Sequence, residues 1–153
     1  MTIDQKLLDL GIELPPVPQA AGLYRTFLLT GKTVTFSGHL PIRSDGSMIT
    51  GKVGVDLSIE DATFAARLVG LNILSTLGSA IGDLDRVDRV GKILGMVNAN
   101  ADFTSHPAVI NGCSELFLEV FGEERGVGTR SAFGVSGLPA NAAVEIEGVF
   151  YLK

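Results

Sequence analysis

Apolar positions along the chain follow two different periods, and these periods divide it into helices and strands. Two long segments repeat apolar residues every three to four positions, whereas several short segments alternate apolar and polar residues. After a short N-terminal helix, the order is strand, strand, helix, strand, helix, strand, strand. The predicted segments are 2–10, 23–30, 32–37, 58–81, 87–98, 105–121, 130–136 and 143–150. This order predicts an α+β domain with one mixed sheet and two helices on one of its faces.

Capping residues support the bounds of the two long helices. Ser58 precedes the first helix and Asp61 follows three residues later, in the position of a capping box. Ser105 and Pro107 mark the start of the second helix, and Gly122 follows its last apolar residue. Residues 123–128 are rich in charge and glycine, which predicts a loop.

The last two strands are predicted to form a hairpin around the turn Gly-Leu-Pro-Ala-Asn, residues 137–141. Alternation along these strands places four apolar side chains towards the helices, namely Phe133, Val135, Val144 and Ile146. Arg130 and Glu145 then lie on the helix-free face, beside Ser37 of the first hairpin. Such a face of small residues and few fixed polar groups is either a self-association surface or a solvated face.

Length and charge narrow the class of protein. The chain has 153 residues, which favours a single domain, and its net charge is −5 with dispersed Lys and Arg. This distribution argues against sequence-independent binding of nucleic acid. The start of the chain lacks the pattern of a signal peptide, and no run of 18 apolar residues predicts a membrane span. With Cys113 as the single cysteine, a cytoplasmic location is expected.

Two stretches resemble a known family. Residues 129–147 contain T-R-S-A-F-G-V, then L-P, then V-E-I-E, and residues 34–41 read V-T-F-S-G-H-L-P. Both resemble the Rid (YjgF-like) family, the reactive intermediate deaminases once named L-PSP endoribonucleases. The resemblance implies a chorismate-mutase-like fold and a homotrimer whose sheets form an inner barrel, with ligand pockets between subunits. It also implies hydrolysis of 2-imino or enamino acids to 2-keto acids and ammonia, without a metal or cofactor.

The same resemblance implies a set of site residues. Arg130 matches the arginine that binds the substrate carboxylate, and Glu145 matches the acid of V-E-I-E. Tyr24, Ser37 and Asn111 match the aromatic, serine and asparagine of the family's binding site.

The chain departs from the family pattern in three places. Ala132 stands where a cysteine is common, and His39 replaces a glutamine. Residues 1–19 form an N-terminal helical arm that short members lack, followed by a single Rid-like domain over 20–153. These departures indicate a divergent, longer subgroup.

The chemistry of the residues supports the same site. Arginine binds a carboxylate through two parallel hydrogen bonds, and an acid on an interface face has a raised pKa suited to activating water. In a tight hairpin, Arg130 would lie about 13 Å from the residue opposite Glu145, so one chain is not expected to bring them together. A pocket built from two subunits, or a different strand register, would remove that difficulty.

Other readings remain open from the sequence. A non-catalytic trimer that senses a small keto or amino acid would need Arg130 equally. A ribonuclease is disfavoured by the acidic charge and the few aromatic residues. A structural role for Arg130, pairing with an acid across an interface, is an open alternative. Cys113 at its helical spacing is typical of a buried apolar position.

Overall fold

The computed structural model describes residues 1–153 and contains four helices and five strands. The helices are α1 (Ile3–Asp9), α2 (Ile59–Ile81), α3 (His106–Phe121) and α4 (Glu123–Gly126). The strands are β1 (Phe27–Thr30), β2 (Thr33–His39), β3 (Val87–Asn98), β4 (Thr129–Val135) and β5 (Val144–Leu152). The two long helices and the first three strands confirm the predicted order, whereas the expected loop after α3 contains the short helix α4.

All five strands form one mixed sheet in the order β1-β2-β5-β3-β4. β3 and β4 run parallel, and every other neighbouring pair is antiparallel. Helices α2 and α3 pack against each other and against the same face of the sheet. The largest fully buried side chains lie between these layers, among them Phe117, Phe150, Ile73, Leu74 and Leu77. The prediction of a mixed sheet with two helices on one face is confirmed.

The predicted C-terminal hairpin is wrong. β4 does not pair with β5; it forms the edge of the sheet beside β3, and β5 lies between β2 and β3. Helix α3 carries the chain back from the end of β3 to its beginning, so β4 enters the sheet parallel to β3. The connection between β4 and β5 is therefore a crossing segment, and it includes left-handed backbone at Ala140 and Asn141.

The face predicted for Arg130 is also wrong. Arg130 hydrogen-bonds to α3, and Gly134 lies directly against the His106 ring, so both face the helices. Phe133, predicted to be in the core, is 44% exposed on the opposite side. The alternation along β4 is as expected, but the edge strand presents its small and polar residues to α3. In β5 the prediction holds, because Val144 and Ile146 are fully buried.

One irregularity in β2 reverses the direction of the His39 side chain. Phe36 pairs with Gly148 and His39 pairs with Ile146, so three steps along β2 match two along β5. This count defines a β-bulge at Ser37 and Gly38. Because of the bulge, Phe36 and His39 both point into the core, where a regular strand would place them on opposite faces.

Helix α2 is long and apolar enough, by length and composition alone, to cross a membrane. This property differs from the expectation that no segment would be apolar enough for a membrane span. About two thirds (67%) of the apolar window is buried inside the fold, against α3 and the sheet. Such burial is typical of the core helix of a globular domain.

Candidate functional site

Arg130 is held at the start of β4 by two neutral side chains of α3. Its Nη1 donates to Asn111 Oδ1 at 2.7 Å and to Ser114 Oγ at 3.2 Å. The two ion pairs within the chain are Arg67–Glu119 and Arg89–Asp88, so no carboxylate of this chain neutralises Arg130. The remaining guanidinium nitrogens, Nη2 and Nε, make no hydrogen bond within the chain. We call Arg130, Asn111 and Ser114 the arginine half-site.

The arginine half-site lines a small cleft of about 240 Å³ between α3, α4 and the start of β4. Ser114 was not predicted from the sequence. It lies three residues after Asn111, which places both on one face of α3, so this spacing was the available signal.

Glu145 lies on the helix-free face of the sheet, as predicted, in a separate cleft of about 390 Å³. The lining mixes polar, small and apolar residues, and none carries a positive charge: Ala21, Gly22, Tyr24, Ser37, Gly38, Leu40, Pro139 and Glu145. Burial, and secondarily the negative charge of Glu147, raises the pKa of Glu145 above its ordinary value. This carboxyl group therefore accepts a proton more readily than an exposed one.

Tyr24 and Ser37 border the same cleft, but their hydroxyl groups are not equivalent. Ser37 Oγ donates its hydrogen to the carbonyl oxygen of Arg25, so only its lone pairs remain for a ligand. Tyr24 Oη accepts from the backbone N–H of Ala21 at 3.1 Å and keeps its hydrogen free to donate. The cleft thus offers a hydroxyl donor and a hydroxyl acceptor beside the carboxyl group.

Gly38 determines how closely β2 approaches Glu145. A methyl group at Gly38 would occupy the place of the Glu145 carboxyl group. The bulge in β2 brings this glycine to the carboxyl group, and the missing side chain provides the room. We call Glu145, Gly38, Ser37 and Tyr24 the glutamate half-site.

The two half-sites do not meet within one chain. Glu145 pairs with Met96 of β3, whereas Arg130 pairs with Ile93 of the same strand. Their strands are therefore two spacings apart, about 10 Å, and they are offset by three residues along the strand, about another 10 Å. The side chains also point to opposite faces of the sheet. The structure thus separates the five predicted residues into two groups, with Arg130 and Asn111 in one and Tyr24, Ser37 and Glu145 in the other.

The two residues that depart from the family pattern lie in the interior. Ala132 is partly buried and packs against the core on the α3 side of β4. His39 is buried beneath α2, where its Nε2 contacts the hydroxyl of Thr76. Cys113 is fully buried, and this burial raises the pKa of its thiol, so a nucleophilic role is not supported. His, Cys, Asp and Glu form no group of three or more that could hold a metal ion.

A larger cleft of about 550 Å³ lies at the other end of β4, beside Lys52 and His106. Its one lysine is already engaged, because Lys52 Nζ donates to Asn98 Oδ1 at 2.9 Å and to the Ser136 carbonyl at 2.8 Å. These contacts connect three segments of the fold. Size alone therefore does not make this cleft the candidate site.

Comparison with known proteins gives the same fold and a family. Residues 4–149 match the family model described as "YjgF/chorismate_mutase-like, putative endoribonuclease". Protein TCP17 of Trypanosoma cruzi is 41% identical over 147 residues, which cover 96% of this chain and 92% of that protein. The crystal structure of protein Atu1372 from Agrobacterium tumefaciens is 37% identical, with a TM-score of 0.89, over 99% of this chain and 94% of that one.

A more distant structure shares the fold and contains a ligand. Escherichia coli TdcF, solved with bound serine, is 22% identical with a TM-score of 0.65. The match covers 92% of this chain and 96% of that chain.

Proposed function

The chain belongs to the YjgF/Rid family, and from that premise we propose that it hydrolyses 2-imino or enamino acids to 2-keto acids and ammonia. The substrate carboxylate is bound by Arg130, and the pocket lies between two subunits of a homotrimer. The observation that carries this proposal is the state of Arg130, a fixed arginine with neutral partners and two nitrogens left unpaired.

Arg130 has the properties of a carboxylate anchor. Its Nη1 is held by Asn111 and Ser114, so the orientation of the guanidinium plane is fixed before a ligand binds. The unpaired Nη2 and Nε are free to donate two parallel hydrogen bonds to the two oxygens of a carboxylate. Such a pair of bonds fixes the orientation of the ligand and also contributes to its affinity. Among proteins with this fold, TdcF binds serine, a small amino acid with a carboxylate.

Glu145 supplies the proton transfers that imine hydrolysis needs. It removes a proton from a water molecule while the water oxygen forms a bond to the imine carbon, and it passes this proton to the imine nitrogen. The resulting carbinolamine then collapses: Glu145 takes the hydroxyl proton and passes it to the nitrogen, the carbon–nitrogen bond breaks, ammonia leaves and the carbonyl forms. A raised pKa suits this exchange because the group must both accept and return a proton near neutral pH.

A second subunit brings the two half-sites together. Because they lie on opposite faces of one sheet, a pocket containing both requires the arginine half-site of one subunit and the glutamate half-site of its neighbour. A cyclic trimer repeats such a contact three times and closes the ring. The helix-free face supports this assembly, since Phe133 and Tyr151 expose large apolar surfaces there, at 44% and 45%.

The alternative is a trimer that binds a small keto or amino acid without turnover. Both functions need Arg130, so only turnover separates them. The family description also names an endoribonuclease, but a net charge of −5 disfavours binding to an RNA backbone.

The test is the hydrolysis of 2-iminopropionate, generated with an amino-acid oxidase and trapped with semicarbazide. Wild-type protein is expected to reduce the trapped imine, and Arg130→Ala to lower kcat/KM by about 100-fold, since a charge-assisted pair contributes up to about 3 kcal/mol. Arg67→Ala is the matched control, because Arg67 lies on the helical side and pairs with Glu119. Absence of hydrolysis by folded, trimeric wild-type protein would reject deaminase activity on this substrate and favour the binder.

A further inference from the structure

We propose that His39 is a positioning residue of the glutamate half-site: from beneath α2 it fixes Ser37 and Gly38, and through them the place of the Glu145 carboxyl group. The kinetic consequence of this inference rests on the proposed function. Its geometric consequence does not, because the surroundings of Glu145 can be measured without any substrate.

The bulge in β2 brings His39 into a position where it can act on Ser37. In a regular strand His39 would share the outer face with Ser37, two residues before it. The extra residue turns His39 inward, where it is only 4% exposed. Its ring therefore lies behind the bulge, on the opposite side from the glutamate half-site.

Both ring nitrogens of His39 have a partner. Nδ1 lies 2.6 Å from the carbonyl oxygen of Ser37, and Nε2 lies 2.7 Å from Thr76 Oγ1 on α2. A carbonyl oxygen only accepts, so Nδ1 carries the hydrogen and donates it to Ser37. In the neutral ring Nε2 is then the acceptor for the Thr76 hydroxyl, and burial favours this neutral form by lowering the pKa of His39. The ring thus connects a buried turn of α2 to the backbone of the bulge.

Every polar group of Ser37 is held by the fold. Its N–H donates to Thr26 O at 3.0 Å, its hydroxyl donates to Arg25 O, and its carbonyl accepts from His39. The first two contacts hold Ser37 to the segment before β1, and the third holds it to the core. The hydrogen bond from His39 is therefore the only one of these three that fixes the distance between the bulge and α2.

Gly38 connects the position of Ser37 to that of the Glu145 carboxyl group. It follows Ser37 in the bulge, and its α-carbon lies so close to the Glu145 carboxyl group that a methyl group would collide with it. A bulge that moved outward would press on this carboxyl group, and one that loosened would admit water beside it. Either movement changes the burial that keeps the pKa of Glu145 high.

A plain structural role makes a different prediction. If His39 only joins β2 to α2, its removal lowers thermal stability but leaves the properties of Glu145 unchanged. If His39 positions the bulge, its removal also changes the titration of Glu145. The titration of a single carboxyl group therefore separates the two roles.

The experiment follows the Glu145 side-chain carboxyl signal by ¹³C NMR across pH, in full-length protein labelled at glutamate and assigned with Glu145→Gln. In His39→Leu, which removes both hydrogen bonds, the pKa of Glu145 is expected to fall towards its ordinary value, because water enters the cleft. His39→Gln, whose amide offers a donor and an acceptor, is expected to restore most of the shift. His106→Gln alters the other histidine of the chain and is the matched control.

Kinetics provide the second readout. In His39→Leu, kcat for 2-iminopropionate is expected to fall about tenfold with KM changed less than about twofold, since the misplaced group is the acid and not the carboxylate anchor. His39→Gln should recover kcat. An equal loss of kcat in His106→Gln would overturn the assignment to His39.

An unchanged Glu145 titration in folded His39→Leu overturns the proposal, whatever the kinetics show. If that variant does not fold, Thr76→Val carries the same test, because it removes only the hydroxyl bonded to Nε2 and keeps the side-chain shape. If wild-type protein hydrolyses no imine, the proposed function fails, yet the titration still decides whether His39 positions Glu145.

Discussion

The arginine half-site and the glutamate half-site are built in opposite ways. Arg130 lies on the edge strand β4, faces the helices, and is held by two neutral side chains of α3. Glu145 lies on the central strand β5, faces away from the helices, and is enclosed by a bulge of its neighbour β2. The arginine half-site therefore presents a fixed positive charge at the edge of the sheet, whereas the glutamate half-site partly encloses a carboxyl group on a central strand.

The difference shows what each half-site lacks. The cleft beside Glu145 has no positively charged residue, and Arg130 has no acid of its own chain beside it. Guanidinium groups stay protonated at all physiological pH values, whereas a buried carboxyl group titrates. The arginine half-site is thus suited to binding at any physiological pH and the glutamate half-site to proton transfer. In the proposed function, a contact between subunits completes the pair.

The largest expected effect comes from mixing the two half-sites. Arg130→Ala and Glu145→Gln are each expected to keep about 1% of the wild-type rate or less, but equal co-expression should restore about a quarter of it. In a cyclic trimer, random mixing gives about one pocket in four an intact Arg130 and an intact Glu145. The measurement is imine hydrolysis by the purified mixed oligomer.

The control for this experiment mixes two variants of the same half-site, Arg130→Ala with Arg130→Gln, and should recover nothing. A mixed oligomer of Arg130→Ala and Glu145→Gln that stays inactive would show that the two residues do not share an intersubunit pocket.

A smaller effect is expected from Gly38→Ala, which disturbs the glutamate half-site alone. The added methyl group meets the end of a flexible side chain, so the Glu145 carboxyl group swings aside while the backbone stays in place. We expect kcat to fall about tenfold, KM to change little, and the melting temperature to stay near wild type. Gly78→Ala is the control, because a methyl group at Gly78 meets nothing within 4 Å. A large loss of stability, or an unchanged kcat, would contradict the role given to Gly38.

The smallest effect is the pH dependence of stability. The folded state raises the pKa of Glu145, so it holds this proton more tightly than the unfolded state does. Stability from this group is therefore present at acidic pH and is lost as the pH rises through the raised value. Glu145→Gln lacks this loss, so its melting temperature should exceed that of wild type near neutral pH, with the difference shrinking as pH falls.

Thermal unfolding from pH 4 to pH 7 measures this difference, with Glu115→Gln, an exposed acid of α3, as the control. A constant difference between wild type and Glu145→Gln over the whole range would show that Glu145 is not desolvated.

The elements themselves were predictable from the sequence. Helices α2 and α3 begin and end within one residue of the predicted bounds. Ser58 caps α2 by accepting from Asp61 N–H, and glycine follows the last residue of each helix. Ser105 is the N-cap residue of α3 but makes no side-chain cap hydrogen bond, and Pro107 lies in the first turn. β3 matches its predicted range, and the inward faces of Val34, Phe36, Val144 and Ile146 follow from simple alternation. These are local properties, since periodicity and capping involve residues only a few positions apart.

The partners of the strands were not predictable in the same way. The turn-like residues 137–141 suggested a hairpin between β4 and β5. In the structure, the connection through α3 leads β4 to the side of β3, and β5 lies between β2 and β3. The face of Arg130 followed from that placement, as did the contact with Ser114. The inward turn of His39 depended on a bulge that only the pairing of β2 with β5 reveals.

The sequence by itself determined which segments are helices and strands, which residue types have chemistry to offer, and which family the motifs belong to. Only the tertiary structure decided that Arg130 and Glu145 lie on opposite faces of one sheet. The physical reason is the range of the interactions. Helix periods and caps act within a few residues, whereas strand order and facing depend on contacts between residues far apart in the chain.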